Sequence, residues 1–178
     1  MLFFKKIVFL IIVFTFFNVS AQNQETIIWK PGVKLSWSNF KGKAPVGNRA
    51  AAMTASGVNY KYTTYFDKKN GNKFTYEVIA IFYPRKSWYR PKICTDITLS
   101  HEQIHFDIAE LYARKMREKL SKVVPSSNTY KQARAIYTSV NKELEAYQDL
   151  YDKETNYSRD LEKQLFWQEK VKKELQLK

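Results

Sequence analysis

The stretch Ser100-His101-Glu102-Gln103-Ile104-His105-Phe106 contains both histidines of the chain, arranged as H-E-x-x-H. Residues four apart on an α-helix lie on one face a turn apart, so the imidazoles of His101 and His105 can reach a single cation. The carboxylate of Glu102 projects beside them, where it can take a proton from a zinc-bound water and pass it to a leaving amine. The stretch therefore predicts a zinc site carried by a helix, with Glu102 as general base.

The sequence around this motif has the periodicity of a long helix. From Asp96 to Lys122 apolar residues recur at helical spacing, and basic residues collect towards the C-terminal end, where the helix dipole favours cations. The residues on this face are Ile97, His101, Ile104, His105, Ile108, Leu111, Tyr112, Met116 and Leu120. We expect Asp96, Thr98 or Ser100 to cap the helix. The alternative is a helix whose histidines cap a core and whose Glu102 faces solvent.

The first residues of the chain differ in kind from the rest. Two lysines precede the apolar run 7–17, and Val19-Ser20-Ala21 provides the small residues that a signal peptidase reads. We predict a signal peptide at 1–21 and a single domain at 22–178 that is secreted or periplasmic. A retained membrane anchor is the alternative, but the run is short for a span. No transmembrane span is expected after cleavage.

Composition predicts one compact domain with a basic surface. The 178 residues, 44% of them hydrophobic, are enough for a real core. The net charge of +13 favours contact with anionic envelope surfaces or acidic substrates. Because the basic residues are spread along the chain, we expect no nucleic-acid partner. The single cysteine, Cys94, excludes an internal disulfide; a small buried thiol is the expected role, with a zinc ligand or nucleophile as the alternative.

The N-terminal half predicts a small antiparallel sheet. Short strand-like runs flank the turn Lys30-Pro31-Gly32, and alternation begins at Ala51. The Asn-Gly pair within Asp67–Asn72 is the strongest hairpin signal in the chain. The returning strand, Phe74–Tyr83, is our candidate for an edge strand that runs above the motif helix and pairs with an extended substrate. A purely structural sheet that covers the helix is the alternative.

The C-terminal half predicts two further helices. A break at 125–128 separates the motif helix from a second helix at about Thr129–Asp152, and a last helix follows Ser158. The fold class is therefore α+β, with a small antiparallel β-sheet followed by three helices. The short link makes the first two helices antiparallel neighbours, so that the histidine pair lies level with roughly Glu145–Asp152.

A third metal ligand is needed in this region. A catalytic zinc takes three protein ligands and one water, and no histidine remains, so the ligand is a carboxylate, a tyrosine or Cys94. Glu145 and Asp149 match a pattern in which Glu binds zinc and Asp orients a ligand histidine. Glu145 lies far from the apolar face of its helix. Asp152 is only slightly nearer, but it lies at the helix end, where the chain can turn towards the metal.

These stretches together resemble the bacterial domain of unknown function 922 family, described generally as predicted secreted zinc-dependent proteases. The stretches that carry the resemblance are Leu35–Gly42, Thr54–Gly57, Phe82–Tyr89, His101–Ile108 with Ala113–Lys115, and Tyr151–Thr155. The family pattern includes the Tyr-Asp-x-x-Thr element of the last stretch but does not clearly include the position of Glu145, which favours Asp152 as third ligand. Many members have His where this chain has Tyr157, which keeps Tyr157 as an alternative ligand.

The resemblance implies that residues 22–178 form a zincin-like metallopeptidase domain, a secreted hydrolase with a zincin-like active-site helix. We expect His101, His105 and Asp152 to hold Zn²⁺. Glu102 is then the general base for a zinc-activated water, and Tyr157 is a conjectural donor to the oxyanion.

Two other functions stay open at this point. The first is a non-catalytic envelope protein that binds metal or a partner through the helix pair and the aromatic loop near Trp88. The second is an amidase that acts on cell-wall peptides. In the peptidase hypothesis the partner is a peptide or protein substrate, and the basic surface contacts the envelope.

Overall fold

The structure is a computed structural model that describes residues 25–176. The signal peptide predicted at 1–21 lies outside the described residues. The described part of the chain has a small antiparallel sheet and three helices, which confirms the predicted α+β class. None of its helices is both long enough and apolar enough to cross a membrane.

Two small sheets precede the helices. The strands are β1 (Ile27–Ile28), β2 (Ala52–Met53), β3 (Ser56–Asp67), β4 (Gly71–Phe82) and β5 (Trp88–Tyr89). The larger sheet has the order β1-β4-β3, and β2 pairs with β5 in a second sheet. The β3–β4 hairpin is paired from Ser56 opposite Phe82 to Asp67 opposite Gly71. The turn is 68–70, and Gly71, which pairs with Asp67 at the start of β4, has a φ of +71° that glycine adopts without strain.

Two expectations for the N-terminal half are wrong. The strand proposed as an edge, Phe74–Tyr83, corresponds to β4, which is the middle strand because β1 pairs with Ile81 and Phe82 on the side opposite β3. The strand-like run that follows the turn Lys30-Pro31-Gly32, residues 33–37, is not a strand. It forms a loop and the start of a short 3₁₀ helix, Trp37–Asn39. The Asn39 side chain accepts from the Ser36 backbone N–H at 2.8 Å, and this local bond competes with strand pairing.

The three helices are α1 (Asp96–Ser121), α2 (Thr129–Glu154) and α3 (Leu161–Gln176), close to the predicted bounds. The cap of α1 is Thr95 rather than Asp96, Thr98 or Ser100, since the Thr95 side chain accepts from the backbone N–H of Thr98. Asp96 instead occupies the first turn, where a negative charge is favoured by the helix dipole.

The helix α1 lies at the centre of the fold. It packs against β3 and β4 on one side and against α2 and α3 on the other. The fully buried side chains, with relative exposures of 0 or 1%, include Ala80, Phe82, Phe106, Ile108, Met116, Leu120, Val140, Tyr151 and Trp167. The long contact surface fixes the rotation of α1 about its axis, and with it the direction in which its polar side chains point.

Two polar side chains of α1 also hold the N-terminal segment. The Gln103 carbonyl oxygen accepts from the backbone N–H of Leu35 at 2.7 Å, and the Gln103 amide donates to Asp107 at 2.9 Å. Asp107 also accepts from the Trp29 indole at 2.7 Å. Gln103 and Asp107 lie four residues apart on α1, so they anchor one face of the helix. His101 and His105 are turned towards another face.

Candidate metal centre

The second and third turns of α1 present the two histidines to one point. His101 and His105 are four residues apart, and their Nε2 atoms are 3.3 Å from each other. The His101 ring stacks on the Tyr151 ring at 4.5 Å between centroids, and the His105 ring meets Tyr151 edge-on at 5.1 Å. Because Tyr151 is fully buried, both imidazoles are held in fixed orientations.

The last turns of α2 bring a carboxylate to the same point. Asp152 Oδ1 is 3.0 Å from His101 Nε2 and 2.9 Å from His105 Nε2. The three residues form a group that can hold a metal ion. In a tetrahedral zinc site with bonds of about 2.0–2.1 Å, ligand atoms are roughly 3.3 Å apart. The spacing of the three atoms is therefore close to that of zinc ligands.

A buried amide on α3 supports the geometry of His101. Gln164 Oε1 lies 3.0 Å from His101 Nδ1 and accepts from the Tyr151 hydroxyl at 2.9 Å. Since a carbonyl oxygen only accepts, Nδ1 carries the proton and Nε2 presents its lone pair towards Asp152. The two atoms face each other at 3.0 Å, a separation that either a proton on Nε2 or a metal ion fills. The donor set therefore fits a bound metal ion.

The pKa values of Asp152 and His105 both shift towards the charged form of each side chain. Burial raises the pKa of Asp152, but its hydrogen bonds with His101 and His105 outweigh burial and hold that pKa well below its usual range. For His105 burial lowers the pKa, whereas the hydrogen bond and charge of Asp152 raise it, and the net direction is upward. A metal ion that binds here therefore competes with a proton for the imidazole of His105.

Glu102 is buried beside the histidines, at 4% exposure. Its backbone carbonyl accepts from the Thr54 hydroxyl at 3.3 Å. Its Oε2 atom has no hydrogen-bond partner among the described residues. A buried carboxylate oxygen without a partner is unfavourable by itself, so a proton donor from outside the chain, such as a substrate or a water, is the expected partner.

The cluster opens into a cleft of about 780 Å³. The cleft is lined by the segment 49–54, the start of α1, the end of α2 and the segment 157–159. Tyr157 is one of the lining residues and is 61% exposed. Asn156, Tyr157 and Ser158 have φ values of 47°, 54° and 69°, an uncommon run of left-handed residues that turns the chain sharply after Asp152.

The strand edge that faces this cleft is β2. Arg90 N–H donates to the Ala51 carbonyl at 2.8 Å, so Ala51 and Arg90 are a hydrogen-bonded pair and the next pair, Ala52 with Tyr89, is not. In an antiparallel ladder the N–H and C=O of such a pair point outward. Ala52 therefore directs both groups away from β5, and Ala52 is one of the residues that line the cleft. A two-residue strand has no pattern that sequence analysis can recognise.

The other sequence candidates lie apart from the cluster. Glu145 is exposed and does not line the cleft. Asp149 lines it, while Cys94 is partly buried and its thiol donates to the Ala51 carbonyl at 3.2 Å. Burial raises the pKa of that thiol, as a structural thiol requires. Trp88, the centre of the aromatic loop, is only 3% exposed and offers no docking surface.

Fold and site together define an α+β protein with a candidate metal centre of two histidines and one aspartate. Residues 36–159 match the family described as "Bacterial protein of unknown function (DUF922)", and the chain belongs to this family. No curated protein and no solved structure matches the chain. The match includes His101, Glu102, His105 and Asp152 but ends before α3, so Gln164 lies beyond it. Because 63 residues separate Gln164 from His101, no local pattern in the sequence indicates their contact.

Proposed function

We propose that this protein is an exported zinc-dependent metallopeptidase. The observation that carries the proposal is the convergence of His101 Nε2, His105 Nε2 and Asp152 Oδ1 beside Glu102 in an open cleft. Two imidazoles and a carboxylate are a donor set that zinc accepts, and three protein ligands leave one position free, as in catalytic rather than structural sites.

Each residue of the cleft then has a separate role. When bound, zinc supplies a Lewis acid that acidifies water and polarises a carbonyl oxygen. Glu102 takes the proton from the attacking water through its unpartnered oxygen and passes it to the leaving amine. Tyr157, which lines the same cleft, would donate a hydrogen bond from its hydroxyl to negative charge that develops on the carbonyl oxygen.

The position of the substrate follows from β2. Its outward-facing backbone groups at Ala52 pair with an extended peptide, which then runs along the cleft past Glu102. This role, first assigned to Phe74–Tyr83, fits β2 because β4 lies inside the larger sheet. Export rests on the signal sequence expected at 1–21, with a secreted or periplasmic location as the consequence.

The proposal is tested by measuring metal content and hydrolysis together. We expect about one zinc per chain by elemental analysis of residues 22–178, no zinc in His101→Ala, and weakened retention in Asp152→Ala. Glu102→Gln keeps the shape of the side chain and the zinc ligands, but it removes the base. Its turnover of a peptide library should fall roughly 100- to 10,000-fold while its zinc content stays unchanged.

Glu145→Gln is the matched control, because Glu145 is an exposed carboxylate outside the cleft. It should leave zinc content and turnover unchanged. A protein that contains no zinc and gains none when zinc is supplied refutes the proposal. Retained turnover in Glu102→Gln refutes the mechanism. Turnover of cell-wall peptides alone, with the same dependence on Glu102, would assign the site to amide hydrolysis in the cell wall.

A further inference from the structure

The end of the molecule farthest from the cleft has an exposed surface that the proposed reaction does not use. At about 1.5 Å per residue, the C-terminal end of α1 lies roughly 30 Å from His101. There the Tyr76 hydroxyl donates to the Arg117 carbonyl at 3.2 Å, and the Arg117 guanidinium donates to the Val78 carbonyl at 2.7 Å. Beyond these contacts the β3–β4 hairpin continues to its turn at 68–70.

The apolar face of the hairpin extends past the helices that cover it. Successive strand residues alternate between faces, so Val58, Tyr62 and Phe66 share one face. Val58 is 5% exposed beneath the helices, whereas Phe66 is 72% exposed at the tip. Tyr65, on the other face, is 51% exposed. The hairpin tip therefore presents large aromatic side chains to solvent on both faces.

Lysines surround these aromatic residues. Lys68 and Lys69 are exposed in the turn, and Lys73 is partly buried on the returning strand. None of the three has an ion-pair partner within residues 25–176. The nearby carboxylate of Asp67 is engaged in the turn, where it accepts from the backbone N–H groups of Lys69 and Asn70 at 3.0 and 2.7 Å. The three lysines outnumber this one carboxylate, so the tip carries a net positive charge.

The loop between α1 and α2 adjoins the hairpin tip. Its residues 125–127 and Thr129 line a cavity of about 320 Å³ together with residues 64–66 and 72–73 of the hairpin. Val124, which precedes this loop segment, is 77% exposed. We define the tip surface as Tyr65, Phe66, Lys68, Lys69, Lys73 and Val124. It combines exposed apolar side chains with basic ones at one end of the fold.

We propose that the tip surface docks the protein on an anionic lipid bilayer. Exposed apolar patches on soluble domains mark interaction sites, and aromatic side chains favour the bilayer interface. A hairpin tip is convex, so Phe66 and Tyr65 can enter the headgroup region while the lysines contact anionic lipids. The charge complementarity favours an anionic membrane over a neutral one. With the tip on the membrane, the cleft lies at the other end of α1, away from the lipid. Substrates outside the membrane can therefore still reach it.

The test is co-sedimentation with lipid vesicles of a protein that comprises residues 22–178. This protein lacks the apolar run at 7–17. We expect binding to vesicles of phosphatidylglycerol with phosphatidylcholine and little binding to phosphatidylcholine alone. A lysine near an anionic surface contributes about 1 kcal/mol, so Lys68→Gln combined with Lys69→Gln should weaken binding about 30-fold. Phe66→Ser should weaken it about tenfold.

Matched controls come from α3. Phe166→Ser removes a phenylalanine that is 57% exposed, and Lys163→Gln with Lys173→Gln removes the same charge from an exposed helix face. These variants should bind as the parent does. Equal binding to neutral vesicles, no binding at all, or equal losses in the α3 variants would each overturn the proposal. Retention on purified cell-wall glycan that depends on Phe66, without vesicle binding, would also overturn it. Zinc content and hydrolysis should not change in any tip variant, so this test is independent of the proposed function.

Discussion

The two halves of α1 bury different kinds of side chain. Besides Ile104, Phe106 and Ile108, the N-terminal half buries five polar residues, each at most 8% exposed: Thr98, His101, Glu102, Gln103 and Asp107. The C-terminal half buries one charged residue, Glu110, and is otherwise apolar, with Ala113, Met116 and Leu120 each at most 1% exposed. The same helix therefore carries the candidate site at one end and an apolar core at the other.

The difference shows what each half needs from the rest of the chain. Buried polar groups require partners, and those of the N-terminal half come from distant segments, as Gln164 does for His101 and Leu35 for Gln103. Apart from Glu110, which pairs with Arg114 and Arg117 of the same helix, the C-terminal half needs mainly shape and volume from its neighbours. A change in the first half should therefore affect metal binding more than stability, and a change in the second half should do the reverse.

The largest expected effect on stability is in the C-terminal half. Met116 is fully buried, so Met116→Ala leaves a cavity and should lower the free energy of unfolding by about 2–5 kcal/mol. Because the triad is more than two turns away, zinc affinity of the folded variant should equal that of the parent. Chemical denaturation and a zinc-competition titration measure the two quantities.

Leu150→Ala is the control for this substitution, since Leu150 is 42% exposed on α2 and its removal should have a small effect. A drop in zinc affinity in folded Met116→Ala would contradict the separate roles of the two halves of α1. It would mean that packing at the C-terminal end sets the orientation of the histidines.

The next effect is on metal binding in the N-terminal half. Gln164→Leu removes the acceptor for His101 Nδ1–H and should weaken zinc binding about 10- to 100-fold. Gln164→Glu retains an acceptor at the same place and should restore the affinity. Competition with a chelator of known affinity measures both variants. Comparison of the two variants distinguishes a role of Gln164 in orienting His101 from a role in packing α3.

If Gln164→Leu and Gln164→Glu weaken zinc binding equally, Gln164 does not act as an acceptor. The Tyr151 hydroxyl, which also donates to Gln164, would then be the group to test, through Tyr151→Phe. Loss of stability without a change in zinc affinity would assign Gln164 to packing. In that case α3 supports the fold and does not contribute to metal binding.

The contrast between local patterns and distant contacts also explains which features of the fold could be predicted from the sequence. The periodicity of apolar residues predicted α1 and α2 within two residues, because burial of one helix face leaves a regular pattern. The hairpin was predicted because an Asn-Gly turn has a local cause. The association of Asp152 with the histidines was proposed from a family pattern. The helical wheel by itself hardly separated Asp152 from Glu145.

What was not predicted depends on contacts between distant segments. The strand at the cleft is only Ala52–Met53, and its role depends on pairing with β5. The middle position of β4 depends on two residues near the N-terminus of the described chain. Gln164 is one polar residue on a helix whose other buried residues include Trp167 and Val171, and no local signal distinguishes it. Such partners become visible only in three dimensions.

A smaller effect is expected at Asp107, where the polar half of α1 meets the N-terminal segment. Burial raises the pKa of Asp107 above its ordinary value of 3.8, although hydrogen bonds from Trp29 and Gln103 lower it in part. A carboxyl whose pKa is raised by folding contributes stability below its ordinary pKa and loses that contribution as the pH rises through the folded pKa. At neutral pH the charge of Asp107 therefore opposes folding.

Asp107→Asn keeps an acceptor for Trp29 and removes the charge. We expect the free energy of unfolding at pH 7 to rise by about 1 kcal/mol, and the difference from the parent to disappear below the ordinary pKa of the carboxyl. Denaturation at several pH values tests this. Asp149→Asn, at an exposed site, should stay within about 0.5 kcal/mol of the parent. A destabilised Asp107→Asn at pH 7 would show that the charged hydrogen bonds outweigh burial.

The smallest effect concerns the outer surface of the C-terminal half of α1. Glu143 on α2 forms ion pairs with Lys115 and Lys119 and accepts from Ser139, and these contacts lower its pKa from 4.5 to about 2. A depressed carboxyl pKa contributes stability above the ordinary value, and that contribution is lost as the pH falls from 4.5 through 2. Because the side chain is 34% exposed, solvent screening keeps the contribution below about 1 kcal/mol.

Glu143→Gln should therefore lower the free energy of unfolding by about 0.5 kcal/mol at pH 7 and low salt. The loss should shrink with added salt and disappear at acid pH, because it is electrostatic. Glu118→Gln, which breaks a single and more exposed pair with Lys122, is the control and should have a smaller effect. A loss that is constant with salt and pH would refute the electrostatic explanation. A change in zinc affinity would instead connect this surface to the triad and contradict the separation of the two halves.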